Sequence, residues 1–487
     1  MLSKEEIAFF IMEDDSSKRK LDAKVGQRYY EGEHDILNYK LFFYDADGEL
    51  QEDKTRSNIK ISHPFFTELV DQQAQYMLNG DEFVKSDIPE LQTELNKVFN
   101  DDFTSELTET ITSTVTKGFG YMYCYKDSKN NFRFENADAM GVVEVRAKDT
   151  DDNCEYVIYW YIDKNTKANK KIKRIQVWDK EQIYFYTQAD DGAIVEDDTE
   201  EINPRPHIIY RNTNDDESLY YDTLGFIPFF RLDNNRKQQS GLKPIKAIID
   251  DYDLMACGLS NNIQDSAEAY FVVSGFQGDN LDELIQNVKI KKHIGVDAGG
   301  GIDVKTVDIP YQARLTKLQL DEVNIYRFGM GFNSAQIGDG NITNVVIKSR
   351  YALLDLKCDK LEKNLKKFLR EMIQVVLDDV NKRNGTDYQQ KDVYFDFERE
   401  VITNASDNAS IKKVEADTKA VEINLLMGLA QIFGADIIIP LICEQLDIDY
   451  NEIKDKLPKQ EAQESYQAME GLNGEQEAET GSEVTTQ

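Results

Sequence analysis

Between Tyr351 and Val375 the apolar positions recur at alternating steps of three and four: Tyr351, Leu354, Cys358, Leu361, Leu365, Phe368, Met372 and Val375. That spacing lines one face of an α-helix and predicts a helix of roughly 30 residues, where the average is ~11–12. Just before it, residues 336–344 read Gln-Ile-Gly-Asp-Gly-Asn-Ile-Thr-Asn, and Gly338 and Gly340 favour turns over helix. Another helical pattern starts at Tyr311. Helix, glycine-rich loop and one very long helix in series predict a part of a larger machine rather than a compact enzyme core.

Upstream, the pattern from Ile7 to about Asn100 is mainly helical, and residues 63–80 form one clear helix with Pro64 in its first turn and Gly80 at its end. A further helix covers Phe103 to Lys117. From Gly118 to about Arg231 the period falls to two. Aromatic and β-branched strands are expected at Tyr121–Tyr125, Cys154–Ile162, Ile172–Trp178 and Gln182–Thr187, separated by polar turns. Ile245, Ile248, Tyr252, Met255 and Leu259 restore the helical period, which runs on to about Tyr270. Between this helix and the one at Tyr311, residues 271–310 read as a small αβ insert. Its parts are a strand at Phe271–Val273, a short helix at Leu281–Val288, and a hairpin of Ile294–Val296 and Ile302–Ile309 turning at Asp297–Gly301. The flanking helices must then run antiparallel. After Gly385 a strand at Val393–Phe397 is free to rejoin the earlier sheet. Helices follow at about 409–433 and 437–446. Beyond Pro458, seven Glu face one Lys with few apolar residues, a composition that predicts disorder.

The chain has 487 residues, a length that favours about three domains, and its 24 Phe and 25 Tyr supply ample core. The formal charge of −33 argues against gripping DNA through phosphate neutralisation, which needs clustered Lys and Arg. It favours solubility and, beyond that, a surface that nucleic acid passes without sticking. The five cysteines are far apart, with no CxxC pair, and their odd number argues against a disulfide framework. Cys358 falls in the apolar stripe and is expected to be a buried small hydrophobe. The first residues lack the pattern of a signal peptide, and no window approaches a membrane span, so a reducing cytoplasm is the expected site of synthesis.

Motifs of catalysis are missing. There is no GxxxxGK[ST], no HExxH and no GxSxG. His34, His63, His207 and His293 are scattered and read as structural or solvated. No cofactor is expected, no catalytic residue and no metal ligand set. Asp45-Ala-Asp-Gly48 begins like a calcium loop but lacks the later ligands and reads as a hairpin turn. In Asp250-Asp-Tyr-Asp253, Asp250 and Asp253 share a helix face. A subunit contact or solvated face is favoured there over a two-metal site. A metal-dependent, DNA-processing nuclease acting through such acidic clusters stays as the alternative.

Leu224-Gly-Phe-Ile-Pro-Phe-Phe230, Asn234-Asn235, and the run from Leu242 through Ile249–Asp253 to Asn261-Asn262 resemble one family, as do Arg28-Tyr-Tyr-Glu-Gly32, Arg56–Lys60 and Tyr76–Gly80. The chain resembles, over roughly residues 20–455, the portal proteins of tailed bacteriophages, of the type found in long-tailed phages of Gram-positive hosts. The resemblance implies an α+β portal-type fold of several domains, with long helices and an antiparallel β-rich wing section. By analogy, residues 1–243 are the wing, 244–270 and 311–333 the two stem helices, and 271–310 the clip. Residues 334–346 are the tunnel loop, 347–408 the long wing helix and wing strand, 409–457 the crown, and 458–487 the acidic tail.

The same resemblance implies a ring of about twelve copies at one capsid vertex, a channel for packaging and ejecting double-stranded DNA without sequence specificity. Implied partners are the terminase large subunit, the major capsid protein and scaffold, and the head-completion or neck adaptors. No membrane is implied. The ring would belong to the virion and be assembled in the host cytoplasm. Within the tunnel loop, Gly338, Asp339, Gly340, Asn341, Ile342, Thr343 and Asn344, with Lys348 nearby, are the candidate channel residues. In the clip, Lys289, Lys291, Lys292 and His293 form the clearest basic cluster, suited to an acidic motor or adaptor surface. Twelve copies would carry a charge of roughly −400, repelling phosphates from the bore.

Overall fold

The computed structural model describes residues 1–54, 56–78, 83–127, 130–148, 154–163, 171–189, 192–211, 219–266, 270–276, 296–305, 310–333, 344–397, 399, 413, 418–429 and 433–445. It divides into two units, the larger comprising residues 1–340 and 347–401 and the smaller residues 341–346 and 402–487. In the larger unit the helices are α1 (Lys4–Ser16), α2 (Lys18–Tyr30), α3 (Phe65–Met77), α4 (Pro89–Val98), α5 (Asp101–Lys117), α6 (Lys246–Ser266) and α7 (Tyr311–Gly329). The long helix α8 (Asn344–Asn384) starts among the residues of the smaller unit. Helical residues of the smaller unit are 418–429 and α9 (Ala435–Gln445).

Two sheets carry most of the β structure. One has strands β4 (Phe119–Lys126) and β5 (Phe132–Ala137) with β14 (Phe229–Asp233), in the order β14-β4-β5. The other runs β10-β9-β8-β7-β6, with β6 (Val142–Val145), β7 (Tyr156–Asp163), β8 (Ile172–Trp178), β9 (Gln182–Ala189) and β10 (Val195–Glu196), and β11 (Arg205–Pro206) also pairs with β9. Every pairing among the described strands is antiparallel. The strands read from the period-two pattern are therefore present. The larger sheet is covered on both faces, which explains its consecutive buried residues. Alternation sends Ile158, Ile175, Val177, Tyr184 and Tyr186 to one face, against Ile7 and Ile11 of α1. It sends Val157, Trp178, Ile183 and Phe185 to the other, against Phe119 and Tyr121.

The N-terminal helices begin and end on local chemistry. Ser3 and Glu6 form a capping box, satisfying two of the free N–H groups at the start of α1. α5 ends at Gly118, whose φ of 97° is left-handed and favours glycine. Lys20 in α2 is fully buried, yet its ammonium reaches the carbonyls of Ala139, Met140 and Val142 at 2.8, 2.9 and 3.0 Å and the Asp14 carboxylate at 3.0 Å. A buried cation is tolerable only when its donors are matched in this way.

The spine of the main core is α8. Tyr351, Leu354, Cys358, Leu361, Leu365, Phe368 and Met372 are all buried, and Val375 is partly buried against the same core. The helix has 41 residues, longer than its apolar stripe suggested. Burial pushes the Cys358 thiol up to about 12, so it is a packing group, as expected.

Two expectations fail. Val296–Lys305 is one continuous strand, β16, and pairs with β15 (Tyr270–Phe276) rather than folding on itself at Asp297–Gly301. The ladder runs from Lys305 to Gly301 and resumes at Val296, with Asp297–Gly300 bulging between and Gly299 at a φ of 97°, and the partner lies more than 20 residues upstream. The strand after Gly385 is only β17 (Tyr394–Phe395). It pairs with β3 (Val84–Lys85) and not with the larger sheets. The hairpin reading of Asp45–Gly48 holds: β1 (Phe42–Tyr44) and β2 (Leu50–Glu52) flank it, and Asp45 Oδ1 accepts the N–H groups of Asp47 and Glu49 at 3.0 and 2.9 Å. Among the described residues no helix is long and apolar enough to cross a membrane.

Candidate functional site

Helices α6 and α7 lie side by side and run antiparallel. Lys317 of α7 bridges Asp251 of α6 and Asp321 of its own helix, while Gly258, farther along α6, lies beside the Arg314 guanidinium, earlier in α7. At one end of the pair, α3 packs across both helices. The Phe65 ring meets Tyr252 of α6 edge-on at 4.8 Å and Tyr326 of α7 at 6.0 Å, and the Tyr326 hydroxyl donates to Glu68 at 2.6 Å.

α7 ends there with Met330 in the left-handed region, and the chain passes over α3. At Gly331 an added Cβ would stand 2.0 Å from Leu69 Cδ2, so no larger residue fits this crossing without displacement. Gln72 then clamps the backbone of Phe332: its Nε2 donates to the Phe332 carbonyl at 2.8 Å and its Oε1 accepts the Phe332 N–H at 3.0 Å. The Phe332 ring stacks on Tyr351 of α8, with centroids 4.4 Å apart and planes 17° from parallel. Phe332 and Tyr351, which flank the glycine-rich segment in sequence, thus meet at one spot on the core.

At its other flank α6 is held by an extended strap. The N–H groups of His63, Ile59 and Ser57 donate to Asp253 Oδ1 at 3.0 Å, Asn261 Oδ1 at 2.6 Å and Asp265 Oδ1 at 3.2 Å. Between them the Ile61 N–H meets Cys257 Sγ at 3.2 Å, and that thiol donates back to the Ile61 carbonyl at 3.4 Å. Every second residue of the strap therefore meets every fourth residue of the helix. The match is metric: two extended residues advance about 6.6 Å, and four helical residues about 6.0 Å.

The strap terminates in a buried knot. Asp253 is fully buried and accepts from His34 Nδ1 at 2.6 Å and from His63 Nδ1 at 2.7 Å. A carboxylate can only accept, so each imidazole carries a proton on Nδ1. Burial pushes the Asp253 carboxyl up, but hydrogen bonds from His34 and His63 outweigh it and hold the group below the usual carboxylate range. The His34 ring stacks on Tyr29 at 4.5 Å. The Tyr29 hydroxyl donates to Asp250, which also pairs with Lys246 at 2.7 Å.

The acidic cluster at 250–253 is thereby corrected. Asp253 is neither a solvated group nor available to a neighbour, and Asp250 and Asp251 already hold Lys246 and Lys317. Among the described residues no group of three His, Cys, Asp or Glu side chains is arranged to hold a metal ion. Two of the four histidines, though distant in sequence, meet on one carboxylate. The signal for this lay in the row Asp253, Cys257, Asn261, Asp265, four acceptors at intervals of four on one helix face.

Of the expected channel residues, Gly338, Asp339, Gly340, Asn341, Ile342 and Thr343 lie outside the described residues. Asn344 is the first residue of α8, and Lys348 is exposed in its next turn. Lys289, Lys291, Lys292 and His293 also lie outside the described residues.

The polar groups at this site tie helices to one another, which is the construction of a structural component. The chain belongs to the family described as "Phage portal protein, SPP1 Gp6-like", which it matches over residues 11–426. It is 26% identical over 346 residues to the portal protein of Bacillus phage SPP1, covering 71% of this chain and 67% of that relative. It is 23% identical over 422 residues to the portal protein of Clostridium phage phiCD119, covering 82% and 87% respectively. The sequence resemblance to portals from phages of Gram-positive hosts is thus borne out. As a family member the protein is a component of the phage capsid, a homo-oligomeric ring with a role in packaging DNA.

Proposed function

We propose that about twelve copies close into a ring at a single capsid vertex, with double-stranded DNA entering and leaving through the bore. In this reading α6 and α7 are the stem, residues 271–310 the clip, 334–346 the tunnel loop, 1–243 and 347–408 the wing, and 409–457 the crown. The clip, with its cluster at Lys289–His293, would face the terminase large subunit during packaging and the neck adaptors afterwards. The wing would face the major capsid protein and scaffold, with assembly in the host cytoplasm. The protein would supply no chemistry: force and ATP hydrolysis would come from the terminase.

The observation that carries this reading is the pinned mouth of the glycine-rich segment. A loop that must touch a moving polymer needs flexible backbone at its tip and rigid ends, and Phe332 stacked on Tyr351 supplies the second. Its uncharged Asn341, Thr343 and Asn344 suit transient backbone contact, while the net charge of −33 per copy disfavours tight phosphate binding. Native mass spectrometry of the purified protein, with electron-microscope images of the same sample, tests the proposal. Closed rings of about twelve with a central hole are expected; a stable monomer or dimer at high concentration across several salt conditions contradicts it.

A further inference from the structure

Among the described residues the β1–β2 hairpin is left uncovered: all six of its strand residues are exposed. An isolated two-stranded hairpin is marginal in water at best. The register places Phe42 opposite Glu52 and Tyr44 opposite Leu50, so Phe42, Tyr44 and Leu50 share one face, 50%, 74% and 57% exposed. The hairpin is also held at a fixed level. Its base is closed by the Asp53 N–H on the Leu41 carbonyl at 2.8 Å, and the Asn58 amide donates to the Tyr39 carbonyl at 3.3 Å. Ser57 and Ile59, just beyond, are tied to Asp265 and Asn261 of α6. An aromatic face is thus carried at the distal end of the α6–α7 pair.

Three further apolar side chains near that end are substantially exposed among the described residues. Ile263 in the last turns of α6, and Tyr311 and Leu315 in the first turns of α7, are 57%, 59% and 46% exposed. We propose that in the ring the Phe42–Tyr44–Leu50 face of each copy seats on Ile263, Tyr311 and Leu315 of the next copy. The inference rests on the ring reading and deepens it. Closed cyclic symmetry demands two different, complementary faces on each subunit, because the contact is head to tail. Rotation about the ring axis also preserves height, so a contact must join features at one level. The strap that carries the hairpin and the second apolar group both lie along α6 residues 257–265, and the hairpin projects as a two-stranded arm. The occupant is therefore a second copy of this chain, and the hairpin is a clasp between neighbouring stems.

The test is a disulfide trap in a Cys154→Ser background, which removes the half-buried thiol. Tyr44→Cys and Leu315→Cys are combined, oxidised, and resolved on a non-reducing gel, with ring assembly checked by native mass spectrometry of the same sample. The clasp gives a ladder of covalent oligomers reaching the ring number, absent from either single variant. Intact rings that yield only single-chain bands overturn the clasp while leaving the ring reading in place. Absence of rings from the unmodified protein overturns both. As a second measurement, Phe42→Ser with Tyr44→Ser should raise the concentration at which rings dissociate by about tenfold or more, with the melting of the separated chain unchanged. Loss of single-chain stability with ring affinity retained would contradict the proposal.

Discussion

Phe332 and Tyr351, 19 positions apart, stack with ring centroids 4.4 Å from one another, and through them the entry to the glycine-rich segment and the first buried turn of α8 become one packed unit. The relationship ties the residue that ends the α7 crossing to the residue that opens the apolar stripe of α8. Tyr76 extends the stack towards α3, with its ring 5.6 Å from Tyr351 and its hydroxyl donating to Asp355 at 2.7 Å.

Truncating this stack should therefore act on both stability and function. Tyr351→Ala removes a largely buried ring and its aromatic partner, with an expected cost of about 2–4 kcal/mol in chemical denaturation. Gln72→Ala leaves the Phe332 N–H and carbonyl without their clamp and should cost about 1–2 kcal/mol. Both variants, if they still form rings, should package DNA less efficiently, because the loop ends are no longer held.

The Asp253 knot predicts an acid-sensitive anchor. Its carboxyl lies below its ordinary value in the folded chain, so its stabilisation is present above the unfolded value of about 3.9 and is lost as pH falls through the folded one. Asp253→Asn should destabilise the protein by about 3–5 kcal/mol at pH 7 by leaving two imidazoles without their anion. Melting curves at pH 7 and near pH 3 check the sign: the gap between wild type and variant should shrink in acid.

Lys357 predicts a dependence on the alkaline side. It is half-buried beside a cavity of about 310 Å³ lined by Phe328, Gly329 and Met330, and burial pushes its ammonium down to about 8. The unfolded chain then holds a proton that the folded chain releases, so stability should rise with pH from about 8 towards 10.5. Lys357→Met should remove that rise and stabilise the separated chain by about 1–3 kcal/mol at pH 7. A flat wild-type profile across this window would count against the burial argument.

The strap predicts an alternating pattern of amide exchange. The N–H groups of Ser57, Ile59, Ile61 and His63 are bonded to α6 and should exchange slowly, while those of Asn58, Lys60 and Ser62 exchange fast. Residue-resolved hydrogen–deuterium exchange reads this directly, and Asn261→Ala should speed Ile59 most.

How much of this was legible in the sequence follows from the range of each interaction. The α8 spine was legible because its burial is periodic within one helix, and the strands of the larger sheet because alternation is local. β16 was misread because Asp297–Gly301 has turn composition: those residues do bulge, but the flanking residues pair with the distant strand Tyr270–Phe276 and not with each other. The strap left a trace only on the helix side, in the row Asp253, Cys257, Asn261 and Asp265: residues 57–63 carry no strand alternation, and their hydrogen bonds go to side chains about 200 residues away. Asp250–Asp253 was recognised as polar and clustered, but burial of Asp253 depends on His34 and His63, which no local pattern connects. Family membership was legible in the order of short segments, since sequence order survives when individual motifs carry no chemistry.

Self-repulsion among copies carrying −33 charges predicts that ring yield falls at low ionic strength and recovers at moderate salt. Sedimentation across a salt series checks it, and an unchanged yield from low to moderate salt contradicts it.

The most direct test of the account is a cryo-electron-microscope map of the assembled ring, resolved well enough to trace side chains. The account predicts that residues 338–343 project into the bore from a mouth closed by Phe332 on Tyr351. A ring in which that segment lies on the outer surface, or in which α6 and α7 do not line the channel, would contradict it.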